Sequence, residues 1–78
     1  MTEKARRERT ERLLAGRLEE LGESLERCGA AAPVVERQLE LASAATERAV
    51  ALHLLSEQRA TAIWAEAAER HPVLSTAA

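Results

Sequence analysis

The chain has 78 residues, a formal net charge of −2, one cysteine, two histidines and a single aromatic side chain. This length allows one small domain, and a core of that size usually needs support from disulfides, a metal or oligomerisation. One cysteine excludes an internal disulfide, and the histidines and the cysteine lack the spacing of a zinc site, so oligomerisation is the expected support.

The charge balance and the hydropathy pattern restrict the location and the partners of the chain. A net charge near zero provides no general attraction to nucleic acid or to anionic lipid. The first residues are charged and the uncharged runs are short, so we predict neither a signal peptide nor a transmembrane segment. The expected location is the cytoplasm.

Residues 1–12 are almost wholly polar and predict a charged helical extension. Glu3 and Arg7 are spaced four residues apart, an arrangement that stabilises a helix by about 0.2–0.5 kcal/mol. Basic residues outnumber acidic ones in this segment, so Arg6, Arg7 and Arg9 are the candidate nucleic-acid contacts.

A first core helix is predicted over about 13–28. Its apolar positions recur at spacings of four and three, which is the heptad pattern of a coiled-coil seam. The seam consists of Leu14, Leu18, Leu21, Leu25 and Cys28. Gly22 lies beside this seam and indicates a close approach of another segment, whereas Gly16 lies opposite the seam without an evident reason.

Residues 29–33 are predicted to form the turn between two antiparallel helices. Gly29 suits a left-handed helix cap, and Pro33 suits the first turn of the next helix. The second helix lacks a good N-cap, because Ala32 stands where Ser, Thr, Asp or Asn is preferred.

The second helix is predicted to run without interruption over about 34–70. The dipeptide Glu-Arg, once Gln-Arg, returns every eleven residues, at positions 36, 47, 58 and 69. A repeat of eleven corresponds to about 3.67 residues per turn and favours a nearly straight apolar stripe. Pro72 disfavours helical geometry at His71, so the helix should end near Arg70 and leave residues 71–78 as a flexible tail.

Together these elements predict an all-α protein, a two-helix antiparallel hairpin of the coiled-coil type. The second helix would be about 55 Å long at 1.5 Å per residue, and the leucine seam would cover less than half of it. The uncovered distal half predicts a homodimer in the form of a four-helix bundle, or a protein partner. The predicted interface residues are Leu52, Leu55, Ser56, Ala60, Ile63, Trp64 and Ala67.

The sequence offers little candidate chemistry, and no catalytic, cofactor or metal site is predicted. His53 is interpreted as a packed or interface-edge histidine, Cys28 as a small buried side chain, and Trp64 as an interface hot spot. The arginines of the eleven-residue repeat are interpreted as a solvated flank that forms interhelical salt bridges. Whether a small ligand binds between the helices, near Glu20, Ser24, Arg27 and Gln38, stays open.

These observations favour a non-enzymatic helical adaptor or regulatory module. It would act through self-association and through a protein partner on the distal half of the second helix. The alternative is a small nucleic-acid-associated regulator that uses the basic N-terminal segment.

Overall fold

In the computed structural model, which describes residues 2–75, the chain is all-helical. It consists of α1 (Glu3–Cys28), α2 (Ala32–Ala51), α3 (Glu57–Arg70) and a terminal 3₁₀-helix (Pro72–Ser75). No strand is present among these residues, and none of their helices has the length and hydropathy needed to cross a membrane. The predicted two-helix hairpin is wrong, because the long second helix is broken into α2 and α3.

Helix α1 begins and ends with caps that its sequence encodes. The Thr2 hydroxyl accepts a hydrogen bond from the Ala5 N–H at 3.1 Å, and α1 continues through the predicted N-terminal extension. At the other end Gly29 is left-handed, with φ 56°, and its N–H donates to the Glu26 carbonyl, while the Ala30 N–H donates to the Leu25 carbonyl. This pair of bonds is a Schellman motif, so the predicted glycine cap is confirmed.

The residues at the two ends of helix α2 are less typical of helix caps than those of α1. Its N-cap is Ala31, which provides no side-chain hydrogen bond, although the proline of the first turn lies where it was predicted. It ends with a second Schellman motif, in which the N–H groups of His53 and Leu54 donate to the carbonyls of Val50 and Ala49, each at 3.0 Å. His53 takes the left-handed conformation, with φ 60°, that glycine usually takes at this position.

The chain starts a new helix directly after this turn. The Ser56 hydroxyl accepts a hydrogen bond from the Arg59 N–H at 3.1 Å, which caps α3. Leu55 before the cap and Ala60 after it are both buried in the same apolar cluster, as in a hydrophobic staple. The staple directs α3 back along the molecule instead of away from it.

Helix α3 lies parallel to α1, and α2 runs antiparallel to both. Arg59 pairs with Glu11 at 3.0 Å, and Arg70 pairs with Glu19 at 2.8 Å. Residue numbers therefore increase in the same direction along both helices. Helix α3 packs more closely against α1 than α2 does. The core consists of Leu18, Leu25, Val35, Leu39, Leu55, Ala60, Ile63, Ala67 and Leu74. Full burial of one such leucine contributes about 1.5–3 kcal/mol.

The segment after α3 also belongs to the packed structure. Residues 71–75, which the sequence assigns to a flexible tail, contribute the buried side chains of His71 and Leu74. The remainder of that predicted tail, 76–78, lies outside the described residues. The C-terminal segment therefore closes one end of the bundle against α1.

Candidate functional site

An open groove lies between α1 and α2, and no residue of α3 lines it. Its volume is about 620 Å³. It is lined by Leu14, Arg17, Leu18, Glu20, Leu21, Ser24, Gln38, Leu41, Ala42 and Ala45. Most of this lining is aliphatic, so the groove is a candidate docking surface.

Helix α2 forms this groove because it carries two apolar faces. Val35 and Leu39 point into the core and are buried. Val34 and Leu41 belong to the apolar stripe predicted from the eleven-residue repeat, and each remains 50% exposed. The intrachain core buries only the face that carries Val35 and Leu39. The face that carries the apolar stripe remains exposed to solvent.

Two opposite charges lie in the groove on the α1 side. Arg17 and Glu20 are three residues apart, and both side chains are exposed. Neither forms an ion pair with any other residue in the described part of the chain. The groove therefore combines exposed apolar area with one available cation and one available anion.

The predicted interface of the distal half lies largely inside the chain itself. Leu55, Ala60, Ile63 and Ala67 are buried in the intrachain core. Ser56 is exposed at the start of α3, Leu52 is 59% exposed at the end of α2, and Trp64 is partly buried. Leu52 is therefore the only large apolar side chain of the predicted interface that remains mostly exposed.

Trp64 lies in a second groove, between α2 and α3. Its indole N–H donates to the Thr46 hydroxyl at 3.0 Å, and that hydroxyl donates to the Ala42 carbonyl at 2.8 Å. The groove has a volume of about 490 Å³ and is also lined by Glu47 and Glu57. The indole thus joins α2 to α3 within one chain.

The most densely connected polar cluster surrounds His71, where the C-terminus meets α1. The two ring nitrogens approach two carboxylates of α1: Nδ1 lies 2.5 Å from Glu26, and Nε2 lies 2.9 Å from Glu19. Arg70 binds the other oxygen of Glu19 at 2.8 Å. Gly22 lies beneath the ring, where a β-carbon would come within 2.5 Å of the His71 Cγ atom.

The charges in this cluster shift each other's pKa values. Hydrogen bonds that His71 donates to Glu26 and then to Glu19 raise the pKa of His71, and burial opposes them. Hydrogen bonds from His71 and then from Arg70 lower the pKa of Glu19. The same bond to Glu19 raises the pKa of Arg70. Each shift favours the charged form, so the cluster acts as an ion-pair network.

The other candidate residues from the sequence, the N-terminal arginines and the cysteine, are exposed and do not belong to the His71 cluster. Arg6, Arg7 and Arg9 are exposed near the N-terminus of α1, where Arg7 pairs with Glu3 at 3.2 Å. Cys28 is exposed, which corrects the interpretation of a small buried side chain.

His53 and the arginine flank also have defined positions. His53 is exposed in the turn between α2 and α3, which corrects the interpretation of a packed histidine. The predicted interhelical salt bridges of the arginine flank are confirmed for Arg59 and Arg70. Arg37 pairs instead within α2, with Glu40 at 3.8 Å.

Sequence reasoning missed the carboxylates that bind His71. Glu19, Glu23 and Glu26 follow one another at spacings of four and three, so they share one face of α1 around Gly22. An acidic face that surrounds a glycine indicates a basic segment packed closely over it. Only the reversal of the chain before α3 identifies that segment as Arg70 and His71.

No protein-family model, curated protein sequence or solved structure matches this chain significantly.

Proposed function

We propose that this chain is a non-enzymatic interaction module that self-associates through the α1–α2 groove. The observation that carries this proposal is the half-exposed Leu41 in an aliphatic groove about 620 Å³ in volume, on a face of α2 that also exposes Val34. Contiguous exposed apolar area on a small domain marks an interaction surface. The groove replaces the distal half of the second helix as the expected site of association.

A second copy of the chain is the occupant that fits the charges. Arg17 and Glu20 lie one helical turn apart on the same rim and have no intrachain ion-pair partner among residues 2–75. When two copies of α1 pack antiparallel about a two-fold axis between these residues, Arg17 of each copy lies opposite Glu20 of the other. Two ion pairs would then flank the apolar contact.

The small intrachain core supports the same occupant. Leu18 is the only large side chain that is fully buried among the described residues. Domains of this size commonly gain stability by oligomerisation, because a single small core barely exceeds the entropy cost of folding. Pairing of two grooves would enclose the apolar lining of both chains.

The decisive experiment measures the mass of the native protein by light scattering at micromolar concentration, for the wild type and two variants. Leu41→Glu places a charge in the groove, and Leu52→Glu places the same charge on an exposed leucine outside it. We expect a dimeric wild type and a dimeric Leu52→Glu variant. Leu41→Glu should weaken dimerisation at least about tenfold, equivalent to 1.4 kcal/mol.

Circular dichroism of the same samples separates loss of association from loss of folding. Leu41→Glu should keep the helical signal of the wild type, because Leu41 is half-exposed in the monomer. A wild type that stays monomeric across the micromolar range contradicts self-association and leaves the groove to a different protein. A dimer that survives Leu41→Glu contradicts the assignment of the groove.

A further inference from the structure

We propose that the His71 cluster is a binding site for a divalent transition-metal ion, with Zn²⁺ as the representative ion. Glu19, Glu23 and His71 each offer one ligand atom, and these atoms all lie within 4.8 Å of one another. Two carboxylate oxygens and one imidazole nitrogen, with water in the fourth position, form a coordination set that zinc uses in proteins. The site is independent of the α1–α2 groove and of self-association.

The imidazole is already oriented as in a metal centre. Its Nδ1 atom lies 2.5 Å from Glu26, which leaves Nε2 directed toward Glu19. Metal-binding histidines usually donate their other ring N–H to a carboxylate, which fixes the tautomer and the ring orientation. Glu26 is therefore the positioning residue, and Nε2 of His71 is the ligand.

The surrounding helix holds the ring in this position. Gly22 has no side chain, and a β-carbon there would lie 2.6 Å from the Cβ atom of His71. The ring consequently lies directly against the backbone of α1, and His71 is only 8% exposed. Burial on one side and carboxylates on the other restrict the imidazole to a single arrangement.

The charge balance of the cluster also favours a cation. Three carboxylates, on Glu19, Glu23 and Glu26, face only Arg70 and the imidazole. Glu23 is exposed and has no hydrogen bond or ion pair within residues 2–75. With the imidazole protonated, the three carboxylates, Arg70 and the imidazolium sum to −1, and a metal ion bound to Nε2 would displace the proton from that nitrogen.

The donor set selects the class of metal. Mg²⁺ and Ca²⁺ bind through oxygen ligands, whereas an imidazole nitrogen together with carboxylates suits Zn²⁺ and neighbouring transition ions. The ligands come from positions 19, 23 and 71, far apart in the chain, so no local sequence motif marks the site. A bound ion would cross-link α1 to the C-terminal segment.

Calorimetric titration of the chelator-treated full-length chain with Zn²⁺ alone tests this site. We expect one ion per chain. Loss of an outer-shell residue typically weakens metal affinity about tenfold or more, so loss of the ligand in Glu23→Gln should weaken it at least about tenfold. The Glu23 carboxylate makes no hydrogen bond or ion pair within residues 2–75, so this variant should fold and melt like the wild type without metal. Glu8→Gln, at an exposed glutamate of α1 far from the cluster, should bind like the wild type.

Nuclear magnetic resonance of ¹⁵N-labelled histidine identifies the ligand directly, because the chain has only two imidazoles. Zn²⁺ should shift Nε2 of His71 and leave His53 unchanged, and Cys28→Ser should retain the affinity. The proposal is overturned by absence of Zn²⁺ binding in the micromolar range, or by Glu23→Gln binding like the wild type. Equal losses in Glu8→Gln and Glu23→Gln, or loss of binding in Cys28→Ser, overturn it as well.

Discussion

Two glycines of α1 provide a matched pair of substitutions with opposite expected effects. At Gly16 a β-carbon would meet nothing within 4 Å, whereas at Gly22 it would lie 2.5 Å, 2.6 Å and 2.9 Å from the Cγ, Cβ and Cδ2 atoms of His71. Alanine is favoured over glycine inside a helix by about 1 kcal/mol. Gly16→Ala should therefore raise the free energy of unfolding by about that amount.

Gly22→Ala receives the same gain in helix propensity but adds a clash. The nearest atoms belong to the part of His71 next to its backbone, so the C-terminal segment must move to relieve the contact. Overpacking of this kind typically costs about 1–3 kcal/mol. Because the gain in propensity cancels between the two variants, their difference in unfolding free energy should also be about 1–3 kcal/mol.

Thermal melting at equal chain concentration measures this difference. A difference of 1 kcal/mol shifts Tm by about 4–8 °C in a domain of this size, so Gly22→Ala should melt at least about 4 °C below Gly16→Ala. The His71 imidazole resonance should change only in Gly22→Ala. Equal melting temperatures, or a more stable Gly22→Ala, would refute the close contact between α1 and the C-terminal segment.

Two further pairs of substitutions test the packing of α3. Ile63 and Leu52 belong to the same predicted interface, but Ile63 is 4% exposed and Leu52 is 59% exposed. Ile63→Ala should lower the free energy of unfolding in urea by about 2–5 kcal/mol. Leu52→Ala should lower it by at most about 0.5 kcal/mol. Equal effects would contradict the intrachain burial of Ile63. Thr46→Val removes the acceptor of the Trp64 indole N–H and should cost about 1 kcal/mol with a shift in tryptophan emission. Thr61→Val, whose hydroxyl donates only to the Glu57 carbonyl, should leave the emission unchanged, and a shift there would refute the contact.

The local signals of the sequence identified the ends of several helices. Gly29 and Pro33 define the turn after α1, and Pro72 follows the C-cap residue of α3, His71. Glycine and proline act through their own backbone preferences, so they mark a turn or a helix end whatever the tertiary structure around them. All-helical structure followed from such signals.

The break between α2 and α3 was hidden by the eleven-residue repeat. The Glu-Arg dipeptides lie on the surface, where their spacing does not require a continuous helix. His53 takes the left-handed cap position that the sequence pattern expects of glycine, so no glycine marks the end of α2. Ser56 followed by Glu57 was the available signal for a new helix.

The His71 cluster could not be derived from the sequence, because its residues meet only after the chain reverses. Glu19 and His71 are 52 positions apart and lie on different elements. Gly22 was the one local indication of a close approach, but the sequence did not identify the approaching segment. The intrachain packing of the predicted interface could not be derived for the same reason, since Leu55, Ala60, Ile63 and Ala67 become buried only after the chain reverses.

The reversal of the chain between Leu52 and Ser56 brings α3 and His71 against α1, and one nitroxide on the native Cys28 tests it directly. Cys28 is the only cysteine and is exposed, so the wild-type chain carries the label. Amide spectra should be recorded on isotope-labelled, nitroxide-labelled chain diluted with unlabelled chain, so that only intrachain broadening is observed.

The label lies two residues beyond Glu26, whose carboxylate contacts His71. Amide signals from the end of α3 and from His71 should therefore be strongly broadened. A continuous helix over 34–70 would place Arg70 about 55 Å from the turn, at 1.5 Å per residue. Unbroadened signals at Arg70 and His71, with broadening confined to α1 and the start of α2, would contradict the three-helix fold.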